Sequence, residues 1–251
     1  MKYDVCNARL IKSKEIAKGI FDFVIECPQL AQKAQAGQFA HIAVPGKTLR
    51  RPISICDATD QTLRIVFQIK GEGTQILSEA KVGENIDILA PLGHGFTIPK
   101  GKTIAFVGGG IGVPPMLYSA KQADNAVAIL GFRNKDAVIL EEDFKSVCSK
   151  VYVATDDGSY GIHGFTTDIL KNVIDEVDMV CSCGPTPMLK ALAAICKEHN
   201  TPCQVSLEER MGCGIGACLV CACKTLDKDG NIEHSHVCKK GPVYNAEEVV
   251  W

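Results

Sequence analysis

Hydrophobic and polar positions divide the chain into three textures. Up to about residue 98 the apolar residues come in short alternating runs, such as Phe21-Asp22-Phe23-Val24-Ile25 and Leu63-Arg64-Ile65-Val66-Phe67-Gln68-Ile69. Gly37, Gly46, Gly71, Gly83 and Gly93 punctuate them. Alternation of this kind predicts strands, and many short strands at this pitch predict a small antiparallel β-barrel. One helix is predicted over 74–80. After a joint at Ile98-Pro99-Lys100-Gly101-Lys102 the pattern changes to continuous apolar runs at 103–107, 126–132, 151–155, 179–183 and 204–207, with helical segments near 114–123, 167–173 and 187–198. Buried strands alternating with helices predict a parallel sheet covered on both faces. From residue 209 the chain is rich in cysteine and turns, with Asp229-Gly230-Asn231 the clearest turn. The expected architecture is multidomain, β followed by α/β, with a barrel over 1–98, an α/β domain over 102–208 and a cysteine module over 209–251. There is no internal repeat and no low-complexity tract.

The cysteine module carries the most specific chemistry. Cys213, Cys218 and Cys221 are spaced Cys-x4-Cys-x2-Cys, and Cys238 follows at a distance. That is the plant-type ligand spacing of a [2Fe-2S] cluster, a one-electron carrier. Gly212, Gly214 and Gly216 alternate through the same loop. Glycines permit the tight curl that turns three thiolates inward, and the loop's backbone N–H groups can offset the cluster's negative charge. A structural zinc site is the alternative, but such sites more often show two Cys-x2-Cys or Cys/His pairs. Cys223 would share a strand face with Cys221 and competes with it for ligation; the x2 spacing favours Cys221. The remaining cysteines at 6, 27, 56, 148, 181, 196 and 203 read as small buried apolar residues.

Composition narrows the class further. Of 251 residues, 46% are hydrophobic and 22% charged, as in ordinary globular proteins, and the net charge of −2 gives no electrostatic case for nucleic acid. The first residues lack the apolar core of a signal peptide, and no run of about 18 apolar residues is present to span a membrane. Reduced cysteines in a cytoplasmic protein are therefore expected.

Four further segments suggest nucleotide binding. Gly108-Gly109-Gly110-Ile111-Gly112 follows a predicted strand and opens a predicted helix, and Cys183-Gly184-Pro185 stands at the end of a later strand. Backbone approaches a ligand closely at glycines, helix N-termini attract phosphate, and open α/β sheets bind ligands beyond the carboxyl ends of their strands. Each segment alone is equally well a tight turn, and Cys183 alone is equally well a packing residue. In the first texture, Arg51-Pro52-Ile53-Ser54 offers a guanidinium and a hydroxyl on opposite strand faces, and Gly71-Glu72-Gly73-Thr74 a second phosphate cradle. An exposed charged edge strand is the plainer reading of the former.

Together these segments resemble the ferredoxin-reductase superfamily across nearly the whole chain. Arg51-Pro52-Ile53-Ser54 is similar to its flavin motif, Gly73-Thr74 to its pyrophosphate turn, and Gly108–Gly112 and Cys183-Gly184-Pro185 to its nicotinamide-nucleotide motifs. Ordinary members lack the cysteine module. The order of segments, the run Glu209-Arg210-Met211-Gly212-Cys213, the run Thr155-Asp156-Asp157-Gly158 and the ending Cys238-Lys239-Lys240-Gly241-Pro242 resemble one branch, the electron-transfer subunits of NAD-dependent dihydroorotate dehydrogenases. The resemblance implies FAD on the barrel, held by Arg51, Pro52, Ile53, Ser54, Gly73 and Thr74 with further contacts from Val66, Phe67 and Gln68. Gln68 departs from the basic residue common at that place. NAD(H) is implied on the α/β domain at Gly108, Gly109, Gly110, Gly112, Cys183, Gly184 and Pro185. Asp156 and Asp157 stand where relatives that take NADP tend to carry Ser and Arg. Carboxylates there repel a 2′-phosphate and favour NAD, unless they merely cap a turn. Cys213, Cys218, Cys221 and Cys238 are implied as cluster ligands.

The implied activity is electron transfer to NAD+ in pyrimidine biosynthesis. Electrons would come from a separate FMN-bearing catalytic subunit that oxidises dihydroorotate, in a heterotetramer of two subunits of each kind. No side chain here is expected to do proton chemistry on dihydroorotate. Three alternatives stay open: a subunit of another flavin/iron–sulfur reductase, such as a ferredoxin–NADP oxidoreductase or a sulfide dehydrogenase; a redox sensor; and a zinc-stabilised structural subunit. The first often has Asp in place of the first cluster cysteine.

Overall fold

The computed structural model describes residues 3–251. The first texture forms β1 (Asp4–Ala17), β2 (Ile20–Glu26), a short α1 (Pro28–Ala31), β3 (Phe39–Ile42), β4 (Arg51–Ala58), β5 (Thr62–Gln68), α2 (Glu72–Ser78) and β6 (Asn85–Leu92). The six strands close into an antiparallel barrel in the order β1-β2-β5-β4-β3-β6. The period of two explains its inside. Leu63, Ile65 and Phe67 of β5 pack inward with Leu10, Phe23, Ile25, Ala40 and Ile42. Phe67 stacks on Phe21 with ring centroids 5.9 Å apart and meets Phe23 edge-on at 5.0 Å.

The second texture forms β7 (Thr103–Gly109), α3 (Val113–Ala120), β8 (Asn125–Phe132), α4 (Glu141–Lys145), β9 (Lys150–Thr155), β10 (Ile162–His163), α5 (Thr166–Val173), β11 (Met179–Cys183), α6 (Thr186–Glu198) and β12 (Cys203–Ser206). All these strands run parallel. Ile104 and Phe106 of β7 face α3, α4 and the barrel side, while Ala105 and Val107 face α5 and α6. Burial on both faces is why these strands read as continuous apolar runs.

The cysteine module folds into a hairpin, β13 (Ala222–Leu226) and β14 (Ile232–His236), followed by β15 (Val243–Asn245). β15 adds to the large sheet as its antiparallel edge, pairing Gln204 with Asn245, Val205 with Tyr244 and Ser206 with Val243. A two-stranded hairpin is marginal alone, and the open edge of β12 needs a partner; joining them answers both. Phe39 and Leu92 of the barrel complete the same core with Cys221, Val237 and Cys238. The module therefore rests on both preceding units.

Ion pairs tie the barrel to the α/β unit. Arg64 bridges the buried Asp22, at 2.9 Å, to Asp143 of α4. Lys121 at the end of α3 reaches Asp57 of β4 at 2.5 Å.

Candidate functional site

On the barrel, the guanidinium of Arg51 lies directly over Gly73: a Cβ at residue 73 would fall 2.3 Å from Nε. The two flavin-type segments, 22 residues apart in the chain, thus meet in space. The Thr74 hydroxyl accepts from the Lys70 N–H at 2.9 Å and the Gly71 N–H at 3.2 Å and donates to the Gly71 carbonyl at 3.0 Å, so it shapes the turn. Pro52 and Ser54 lie opposite His41 and Phe39 across the β3–β4 pair, whereas Ile53 packs against the barrel core. Val66 is buried toward the α/β unit, and Gln68 is exposed at the end of β5. The Phe67 side chain is inside the barrel, so only its backbone can meet a flavin. A guanidinium above a side-chain-free turn is a fit for a pyrophosphate.

On the sheet, β7 and β11 are neighbours with Cys183 opposite Gly108. The chain runs outward from β7 through β8 and β9, then returns to place β11 on the other side, so the strand order reverses between β7 and β11. Ligands bind at such a switch point, beyond the carboxyl ends of the strands. Both glycine turns sit there. A Cβ on Gly112 would meet the Cys183 carbonyl oxygen at 2.3 Å, and one on Gly109 the Met188 sulfur at 2.6 Å. Gly110 takes φ +53 and has open space around it. The Cys183 thiol is pushed up to about 12 by burial, so it is neutral at physiological pH. Asp157 accepts from the Ser159 N–H at 2.9 Å and caps its turn, while Asp156 has no side-chain partner among the described residues.

In the module, the loop is threaded by N–H···S contacts. Ile215 and Ala217 donate to Cys213 Sγ at 3.4 and 3.2 Å, Cys213 to Cys218 Sγ at 3.4 Å, Gly216 to Cys238 Sγ at 3.1 Å, and Cys238 to Cys221 Sγ at 3.4 Å. The curl needs Gly214 and Gly216 at φ +73 and +82. The four cysteines stand as two pairs: the Cys221 and Cys238 sulfurs are 3.2 Å apart, and the Cys213 N–H donates to Cys218 Sγ. Among the described residues no three His, Cys, Asp or Glu side chains converge on one point. Four cysteines at plant-type spacing, with N–H donors aimed at their sulfurs, are the donor set of a [2Fe-2S] cluster. Burial raises the Cys213 thiol, but the N–H groups of Ile215, Cys218 and Ala217 outweigh it and bring the thiol down to about 6. The donor set fits a cluster.

A relative 42% identical over 248 residues, spanning 98% of both chains, is the dihydroorotate dehydrogenase B (NAD(+)) electron transfer subunit of Caldanaerobacter subterraneus subsp. tengcongensis. The chain belongs to this family of electron transfer subunits. The namesake from Bacillus cereus strain G9842 is 43% identical over 257 residues, covering 97% of this chain and 98% of its own. Residues 208–250 match the iron-sulfur cluster binding domain of dihydroorotate dehydrogenase B. Among solved structures, one described as the NADH-dependent reduced ferredoxin-NADP oxidoreductase superposes with TM-score 0.86 at 32% identity, covering 98% of this chain and 90% of its own. A Neisseria gonorrhoeae ferredoxin NADP+ reductase with bound FAD and NADP superposes with TM-score 0.65 at 18% identity, covering 79% and 92%, and shares the fold.

The Cys223 thiol donates to the Tyr244 hydroxyl at 3.6 Å, and Trp251 packs on the core beneath the module. Sequence reasoning missed His41, which is fully buried beneath the cluster loop with neither ring nitrogen hydrogen-bonded. A lone ionisable residue inside the apolar run Phe39-Ala40-His41-Ile42 was its only signal. Arg50, beside the flavin-type motif, is committed elsewhere: its Nη2 donates to both carboxylate oxygens of Asp87 at 2.9 Å, and its Nη1 to the His41 and Asp87 carbonyls at 3.2 Å.

Proposed function

We propose that this chain carries electrons from an FMN-bearing dihydroorotate-oxidising subunit to NAD+. The observation that carries the reading is the meeting of three cradles in one body: the Arg51–Gly73 cradle, the paired glycine turns at the sheet's switch point, and the two thiol pairs seated on the barrel. When bound, FAD exchanges a hydride with nicotinamide and single electrons with a [2Fe-2S] cluster, which joins a two-electron to a one-electron partner.

The protein's own share is binding and placement. Arg51, Pro52, Ile53, Ser54, Gly73 and Thr74 hold FAD, with Val66, the Phe67 backbone and Gln68 nearby. Gly108, Gly109, Gly110, Gly112, Cys183, Gly184 and Pro185 receive NAD(H), and Asp156 disfavours a 2′-phosphate. Cys213, Cys218, Cys221 and Cys238 would hold the cluster. The working units are 1–98 for FAD, 102–208 for NAD and 209–251 for the cluster. Ile215, Leu219 and Val220 leave apolar surface exposed around the thiols, as a docking face for the catalytic subunit needs. We infer two subunits of each kind and a cytoplasmic setting. No helix among the described residues is long and apolar enough to cross a membrane.

The 32%-identical reductase structure favours a second reading, a reductase subunit serving another partner. Higher identity to the dihydroorotate dehydrogenase subunits, together with cysteine at position 213, favours the first. The test is anaerobic titration of the purified protein with NADH, alongside FAD, iron and labile-sulfide analysis. Flavin and cluster bands that bleach together support the reading. Zinc in place of iron, or no bleaching by NADH, contradicts it.

A further inference from the structure

His41 sits where the flavin strand and the cluster loop meet. In β3, Ala40 and Ile42 point into the barrel core, while Phe39 points outward into the core beneath the module. His41 shares the outward face of Phe39, since side chains two apart in a strand do. Its cross-strand neighbour is Pro52, and that of Phe39 is Ser54. Directly opposed residues share a face, so the imidazole lies on the same side of the β3–β4 pair as two flavin-motif residues.

Its other side meets the cluster loop. A Cβ on Gly214 would fall 2.7 Å from His41 Nδ1 and 3.3 Å from Cε1, so only glycine allows this approach. The ring is wholly buried, yet neither nitrogen completes a hydrogen bond. The backbone carbonyls of Arg50 and Cys213 lie near it, and so do the positive charges of Arg50 and Arg51, which favour a neutral ring. A leucine or phenylalanine would fill the space without leaving buried polar atoms unpaired, and such atoms are costly unless they find a partner. The Cys213 carbonyl belongs to the peptide that enters the curl in which the Ile215 and Ala217 N–H groups serve Cys213 Sγ.

We propose that His41 is a positioning residue for the cluster: with the cluster in place, an imidazole N–H bonds the Cys213 carbonyl, fixing the ligand loop against the flavin strand. The hydrogen bond draws electron density from the ligand residue and favours the reduced cluster. This role rests on the functional reading above.

The test uses the anaerobically purified complex and the variants His41→Leu and His41→Gln. Leucine has no donor; glutamine keeps a neutral N–H of comparable reach. Cluster content, the electron paramagnetic resonance spectrum of the reduced cluster, and the cluster and flavin midpoint potentials are measured. H41L is expected either to lose the cluster or to shift its redox equilibrium at least tenfold toward the oxidised form, 59 mV for one electron. The flavin potential stays unchanged, and H41Q keeps the parental cluster spectrum and potential. H41L with parental cluster content, spectrum and potential overturns the proposal. So does H41Q impaired to the same degree as H41L, because ring shape alone would then account for both. NADH bleaching of the parent separates the two levels. Its failure removes the functional reading, whereas a parent that bleaches normally beside an unaltered H41L removes only the role of His41.

Discussion

Replacing Gly112 by alanine should part the two nucleotide turns. The new Cβ would stand 2.3 Å from the Cys183 carbonyl oxygen, 2.6 Å from its carbon and 2.7 Å from Gly184 Cα. These are backbone atoms at the end of β11, pinned to β7 by the Cys183–Gly108 pairing, so no side chain can swing aside. Overpacking of this kind costs about 1–3 kcal/mol. If the turns separate to relieve it, NADH binding weakens about 5- to 150-fold. Gly109→Ala is a graded comparison. Its Cβ would meet the Met188 sulfur at 2.6 Å and Pro185 Cδ at 3.0 Å, and the thioether can rotate, so the loss should be smaller. The assay is anaerobic NADH titration followed at the flavin band, with FAD and iron content and a thermal melt on each variant. G112A that binds NADH like the parent, or that binds it better than G109A, refutes this account of the site.

Other outcomes follow from the same geometry. Arg51→Ala removes the guanidinium over Gly73; a hydrogen bond to a charged group contributes about 1.5–3 kcal/mol, so FAD affinity should fall about 10- to 150-fold in ultrafiltration, and full retention of FAD would contradict the cradle. Cys223→Ser should keep parental iron and labile sulfide while Cys218→Ser loses them; equal losses would mean that the Tyr244-bound thiol is a ligand after all. Burial raises the Cys183 thiol to about 12 and favours its neutral form, so it ionises only in strong alkali. NADH-dependent flavin reduction should therefore show no step from this thiol over roughly pH 6 to 9, near the ordinary thiol range. A step in that window that disappears in Cys183→Ala would count against it.

Much of this molecule was legible because its signals are local. Cys-x4-Cys-x2-Cys needs only a curled loop, and the curl is there with Gly214 and Gly216 in the left-handed region. The strands of the α/β unit showed as apolar runs because both faces of their sheet are covered. The helix expected at 74–80 begins two residues earlier, at Glu72, where the Thr74 hydroxyl organises the turn. Phe67 shows how a period refines a motif: the flavin stretch implied a contact there, and the spacing from Leu63 and Ile65 places the side chain inside the barrel, which leaves the backbone to make it. β15 was invisible because three residues carry no period, and its place is set by the open edge of β12. His41 was invisible because its burial depends on a loop more than 170 residues away that folds over it.

A relay between dihydroorotate and NAD+ leaves a spectroscopic trace in the intact complex. The chain is purified anaerobically from its own host at low salt, with the FMN subunit shown to be present, and dihydroorotate is added while the visible spectrum is recorded. The flavin and cluster bands should bleach, and NAD+ should restore them. Bands that dihydroorotate leaves unchanged and NADH bleaches would contradict it, and would assign the same flavin and iron–sulfur machinery to a different partner.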